Sequence, residues 1–162
     1  MLPDILTVFR KEWNEYLHAR ATWRGTLFTF LVPVLIFGLL FPIQAGRDWI
    51  ESPIVALSFA WLPMLFVSAM TADSFAGERE RHTLETLLSS RLPDFAILAG
   101  KLLSAASYGL LVTALIVISG VVGVNLIHGH GEFIFYPLNG FVIAMTACVL
   151  IAFLIAGIGV LT

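Results

Sequence analysis

Four windows of this chain carry no Asp, Glu, Lys, Arg or His: 26–44, 53–72, 102–127 and 138–161. Each is long enough for a helix that crosses a bilayer, which needs about 20 apolar residues. They are continuously apolar, whereas the strands of a membrane barrel are short and alternate in polarity. A soluble fold is excluded by the same arithmetic. With 59% hydrophobic and 12% charged residues in 162, a core of this size could not hide the apolar surface from water. Disorder is excluded because disordered chains are polar and poor in aromatics. The expected architecture is all-α, a single polytopic transmembrane domain of four spans over residues 1–162.

The cations set the expected orientation. Arg10, Lys11, Arg20 and Arg24 precede the first window, and Arg79, Arg81, Arg91 and Lys101 lie between the second and third. Only Arg47 falls between the first and second, and none between the third and fourth. By the positive-inside rule the N-terminus and the 73–101 segment are cytoplasmic, in a cell (plasma or inner) membrane. The near balance of Lys+Arg 9 against Asp+Glu 11 gives no footprint for nucleic acid. The first window is too long, and too far from the N-terminus, for a cleaved signal peptide.

Residues 4–24 read as an amphipathic helix with Asp4 as its expected N-cap. Ile5, Phe9, Trp13, Tyr16 and Leu17 recur at helical spacing, and Arg10, Lys11, Glu12, Asn14, Glu15 and His18 occupy the other positions. Placed just before a span, such a helix is expected to lie in the membrane interface, with Phe9, Trp13, Tyr16 and Leu17 at headgroup depth and its cations toward lipid phosphates.

The 73–101 segment holds most of the remaining charge. Residues 77–89 predict a short helix with Leu84, Leu87 and Leu88 on one face and Glu78, Arg79, Glu80 and Arg81 in the first turn. Helix termination is the expected role of Asp73. Ser89-Ser90 and Leu92-Pro93 are expected to end the short helix, and Asp94 to cap the next. A helix this short is marginal alone, and its apolar stripe flanked by charges suits a partner's groove as well as it suits a solvated loop.

The run Gly77-Glu78-Arg79-Glu80-Arg81-His82-Thr83-Leu84-Glu85-Thr86-Leu87-Leu88-Ser89-Ser90, with Gly100-Lys101 opening the third window, resembles the membrane subunits of type-2 ABC exporters. That family shows E-R-E-x-G-T-L-E-x-L-L, a short gap containing Pro, and then G-K. His82 stands where the family has Gly. The resemblance implies an N-terminal elbow helix at 4–24 and a coupling helix at 77–89 that docks a separate ATPase subunit. Leu84, Leu87 and Leu88 would supply buried contact, Glu78, Arg79, Glu80, Arg81 and Glu85 rim ion pairs, and Thr83 a bond within the turn. It also implies a second permease copy or paralogue completing the conduit, lipid around it, and two further spans, so a continuation beyond Thr162 is expected. ATP and Mg would sit on the partner, with no cofactor on this chain. A membrane anchor that recruits a soluble partner without transport is the alternative.

Other chemistries find no support in the residues. A P-loop needs G-x-x-x-x-G-K-[ST]; here Phe95 holds the first glycine position and Leu102 follows Gly100-Lys101. His128, His130 and Glu132 form the one ligand-like cluster, but a third nitrogen or sulfur donor is not in view, and a solvated loop without metal is expected. No nucleophile–base pair lies at membrane depth, so no catalysis is expected. Pro33 and Pro63 are expected to kink the first two spans. Ala105-x-x-x-Gly109 and Ser119-x-x-x-Gly123 are expected to permit close helix contact, and Cys148 to be a small packing residue. Ser58, Ser68, Ser107, Asn125 and Thr146 are the uncharged polar groups the spans offer to a substrate.

Overall fold

A computed structural model describes residues 2–18, 31–52, 55, 61–80, 93–129 and 132–161. All regular structure among them is helical. The helices are α1 (Leu2–His18), α2 (Leu31–Ala45), α3 (Asp48–Glu51), α4 (Leu62–Glu80), α5 (Asp94–His128) and α6 (Leu138–Leu161). Of these, α5 and α6 are long and apolar enough to cross a membrane, and Leu31–Ala45 and Leu62–Ala72 are shorter apolar stretches.

Helix α5 is the centre of the packing and touches every other helix. It has 35 residues, about 52 Å at 1.5 Å per residue, so it outreaches a bilayer core of about 30 Å. Its two ends therefore serve different neighbours. Near Gly100 and Lys101 it receives α1, and near His128 it meets the turn at Gly46 and the 132–137 segment. The cations Lys11 and Lys101 thus share one end of the bundle, and Arg47 lies at the other, paired with Glu132 at 3.6 Å.

The small residues of α5 mark where its neighbours come close, and they serve more than one partner. Gly109 faces α4: a Cβ there would collide with Val67 and lie 3.5 Å from the Pro63 carbonyl. Ser119 and Gly123 face α2. A Cβ on Gly38 would collide with Ser119, and one on Gly123 would lie 3.2 Å from Leu39. On α6, Ala144, Cys148, Ala152 and Ala156 repeat every fourth residue and are all buried, forming the thin ridge that packs on α4 and α5. Large apolar side chains point outward instead, among them Ile118 and Leu126 on α5 and Ile143, Leu150 and Leu154 on α6. Such an inside-out distribution suits a lipid surround, where apolar burial alone gives no reason for helices to associate.

The structure corrects several local expectations. Helix α1 starts at Leu2, so Asp4 lies in the first turn rather than at the cap. The cap of α5 is Pro93, in extended backbone, whose carbonyl accepts from the N–H groups of Ala96 (2.8 Å) and Ile97 (3.3 Å); Asp94 is the first helical residue. Helix α4 does not end at Asp73. It continues to Glu80, because 73–80 contains no proline and the single Gly77 costs only about 1 kcal/mol in a helix. The residues four before Pro33 and Pro63 lie outside the described residues, and so do the kinks expected there. A distortion in α2 precedes Pro42. The turn Ile36–Leu40 is π-helical and closes with the Phe41 N–H on the Ile36 carbonyl. Pro42 has no N–H to give the Gly38 carbonyl four residues back, and its ring would crowd that carbonyl; the widened turn relieves both.

Gly109→Leu should lower the stability of the α4–α5 contact by about 1–3 kcal/mol through overpacking against Val67. The thermal midpoint of the detergent-solubilised protein should fall, and Val67→Ala in the same chain should recover part of the loss.

Candidate functional site

The end of the bundle that holds α1, the start of α5 and the C-terminal turns of α4 carries most of the residues singled out by sequence. Glu78, Arg79 and Glu80 form the last backbone turn of α4. Arg81, Thr83, Leu84, Glu85, Leu87 and Leu88, the body of the expected coupling helix, lie outside the described residues.

Helix α1 meets α5 through three kinds of contact in succession. Val8 is buried and fits over Gly100, where a Cβ would lie 2.6 Å from that of Val8 and 3.1 Å from the Ile5 carbonyl. One turn on, Glu12 Oε1 lies 3.0 Å from Lys101 Nζ, with the two side chains only 4% and 3% exposed. Next, the Trp13 indole N–H donates to Ser107 Oγ at 3.1 Å, and the Trp13 ring meets Tyr108 edge-on at 6.2 Å. Lys11 also approaches Glu12, at 3.5 Å, and pairs with Glu15 at 3.4 Å on the more open side. Removing one partner of a pair as buried as Glu12–Lys101 costs about 3–5 kcal/mol, because the other charge is stranded.

The face of α1 against α5 is therefore not the apolar stripe read from sequence. It lies to one side of that stripe and includes Glu12, which periodicity assigns to the polar positions. Phe9 is half-buried and forms a tilted aromatic pair with Trp13 at 6.3 Å; Leu17 is exposed; Tyr16 lies on the α1 backbone. Leu2, Leu6 and Leu17 are exposed, an apolar edge beside the protein-facing one.

The opposite end is held by a polar clamp. Asn125 donates from Nδ2 to the carbonyls of Val121 (2.8 Å) and Ile134 (2.7 Å), and its Oδ1 accepts from the Ile134 N–H at 2.7 Å. One side chain thus imitates a strand neighbour for the 132–137 segment. Trp49 and Tyr136 converge on Gly120, whose Cβ would lie 3.2 Å from Trp49 Nε1 and 3.4 Å from the Tyr136 hydroxyl. Burial pushes the Tyr136 hydroxyl above its ordinary value of 10.0, offset only in part by the Trp49 indole N–H, so it stays neutral. His128 packs on Gly46, whose φ of 63° suits a glycine. His130 lies outside the described residues, and among those described no three His, Cys, Asp or Glu side chains are grouped as metal ligands.

The polar groups expected to face a substrate are mostly committed. Ser107 accepts from Trp13 and Asn125 holds the 132–137 segment, whereas Ser68 and Thr146 bond carbonyls of their own helices on exposed faces. Ser58 lies outside the described residues.

Two helices long and apolar enough to cross a membrane, with large apolar side chains on their outer faces, suit a membrane component. The chain matches the family model described as ABC-2 type transporter over residues 3–160, and it belongs to that family of transporter membrane subunits. Comparison with curated proteins and with solved structures gave no significant match.

Asn125→Leu should leave the Ile134 N–H and carbonyl without their partner, at about 1–3 kcal/mol for each buried group. Amide hydrogen exchange should rise sharply at Ile134 while the middle of α5 stays protected.

Proposed function

We propose that this chain is the permease subunit of an ATP-driven export system. It supplies part of the transmembrane conduit and docks a separate ATPase subunit through 78–89. The observation that carries this reading is family membership across nearly the whole chain, joined to the Gly77–Ser90 motif in its sequence. In this reading the windows 26–44, 53–72, 102–127 and 138–161 are four spans in the plasma or inner membrane. The end holding Lys11 and Lys101 faces the cytoplasm, as the partition of cations requires. Helix α1, with Phe9, Trp13, Tyr16 and Leu17, rests in the headgroup layer as an elbow helix.

Leu84, Leu87 and Leu88 fill a groove on the ATPase, while Glu78, Arg79, Glu80, Arg81 and Glu85 set the register at its rim and Thr83 steadies the turn. Exposed rim pairs contribute only about 0–1 kcal/mol each, so the leucines hold the dock and the charges select it. ATP and Mg belong to the partner. Its closure moves the coupling helix, and the long rigid α5 carries that movement into the bilayer as a hinge or shear transition. A second copy or a paralogue forms the other wall of the conduit.

Co-purification with a candidate ATPase subunit tests the dock. Leu84→Asp/Leu88→Asp should abolish the complex while leaving the chain in the membrane, and full retention would overturn the assignment. A complex that forms but neither stimulates ATP hydrolysis nor transports would favour the anchor reading. Orientation is tested separately: a cysteine at Ser89→Cys, in a Cys148→Ala background, should react with an impermeant maleimide only from the cytoplasmic side.

A further inference from the structure

The buried pair Glu12–Lys101 has no counterpart among the docking or conduit residues, and it sits where apolar contact is least able to hold a helix. An amphipathic helix beside a bilayer satisfies its apolar side chains equally well against lipid or protein, so apolar contact alone leaves its position on the bundle undetermined. A desolvated ion pair is different in kind. It rarely adds net stability over apolar packing, but it penalises every arrangement that separates the charges. The neighbouring contacts agree with it in register. Val8 lies four residues before Glu12 and meets Gly100, next to Lys101. Trp13 follows Glu12 and meets Ser107 and Tyr108, about two turns further along α5. Sliding or rolling α1 would take Val8 out of the Cβ-free notch at Gly100, or strand Glu12 and Lys101. Lys11 and Glu15, both on α1 and both more open, also lie beside the pair.

We propose that Glu12 and Lys101 are a positioning pair that fixes α1 on α5 in one register, so that the two helices move as a single body through the transport cycle. The pair touches no substrate. It extends the proposed function by naming the joint through which movement of the segment between α4 and α5 reaches the membrane-surface helix as well as the span, and the cycle part of the inference rests on that function.

The test is a distance measurement by pulsed electron resonance on the full chain in lipid nanodiscs, in a Cys148→Ala background, with spin labels at Arg10→Cys and Leu103→Cys. Both sites are exposed. The parent should give one narrow distance. Lys101→Met and Glu12→Gln should each broaden it and shift it to longer values. Lys101→Arg should keep it, and Glu12→Lys/Lys101→Glu should restore it. Single variants that keep the parent distribution would overturn the proposal. Where a single variant loses helicity, the swapped pair must recover both helicity and the narrow distance, and failure to do so also overturns it. With the ATPase bound, orthovanadate trapping should leave the parent distance unchanged but displace it in Lys101→Met; a displaced parent distance would overturn the single-body claim. If no ATPase binds, the docking function fails, while the nucleotide-free distances still decide the pair.

Discussion

The bundle is governed by the fact that lipid is as good a solvent for leucine as another helix is. Water drives this chain into the membrane, but once there its helices must be held together by close backbone approach and by polar bonds. Helix α5 concentrates both. Gly100, Gly109, Ser119 and Gly123 let α1, α4 and α2 come near, and Lys101, Ser107 and Asn125 make the polar contacts at its two ends. Tyr108, Val112, Ile116 and Val124 of α5 are buried between the helices, while other bulky residues of α5 and α6, such as Ile118, Leu126, Leu150 and Leu154, face outward.

Much of this was legible along the chain. Periodicity and charge-free length give helices, and the boundaries of α6 follow the fourth window closely. Small residues four apart on α5 announce close contacts, though not that Gly109 would serve α4 while Ser119 and Gly123 serve α2. The segregation of Arg47 from the other cations anticipates two distinct ends, and the structure pairs Arg47 with Glu132 at the end away from Lys101.

What was not legible involves residues whose roles depend on a partner far along the chain. Glu12 reads as polar face because one-dimensional periodicity assigns every carboxylate to solvent. Only the fold brings it to Lys101, 89 positions away, and the lysine's place beside an apolar window was the one available hint. Asn125 reads as a group for substrate because nothing in the sequence shows the 132–137 segment folding back to it. The π-turn before Pro42 was obscured for another reason. Pro33 and Pro63 stand deeper in their windows and drew the expectation of kinks, whereas a proline near the end of an apolar run looks harmless.

That π-turn sets the phase of helix α2. A π-turn holds one residue more than the turn it replaces, so Leu31–Leu35 and Phe41–Ala45 follow two different helical phases, offset by about 100°. A single uninterrupted helical projection of α2 would therefore assign one half of it to the wrong side. The insertion also supplies a natural place for length variation. Loss of one residue between Ile36 and Leu40 would turn Leu31–Leu35 by about 100° against Phe41–Ala45, changing what that segment presents to the interior without altering a single apolar side chain outside the turn.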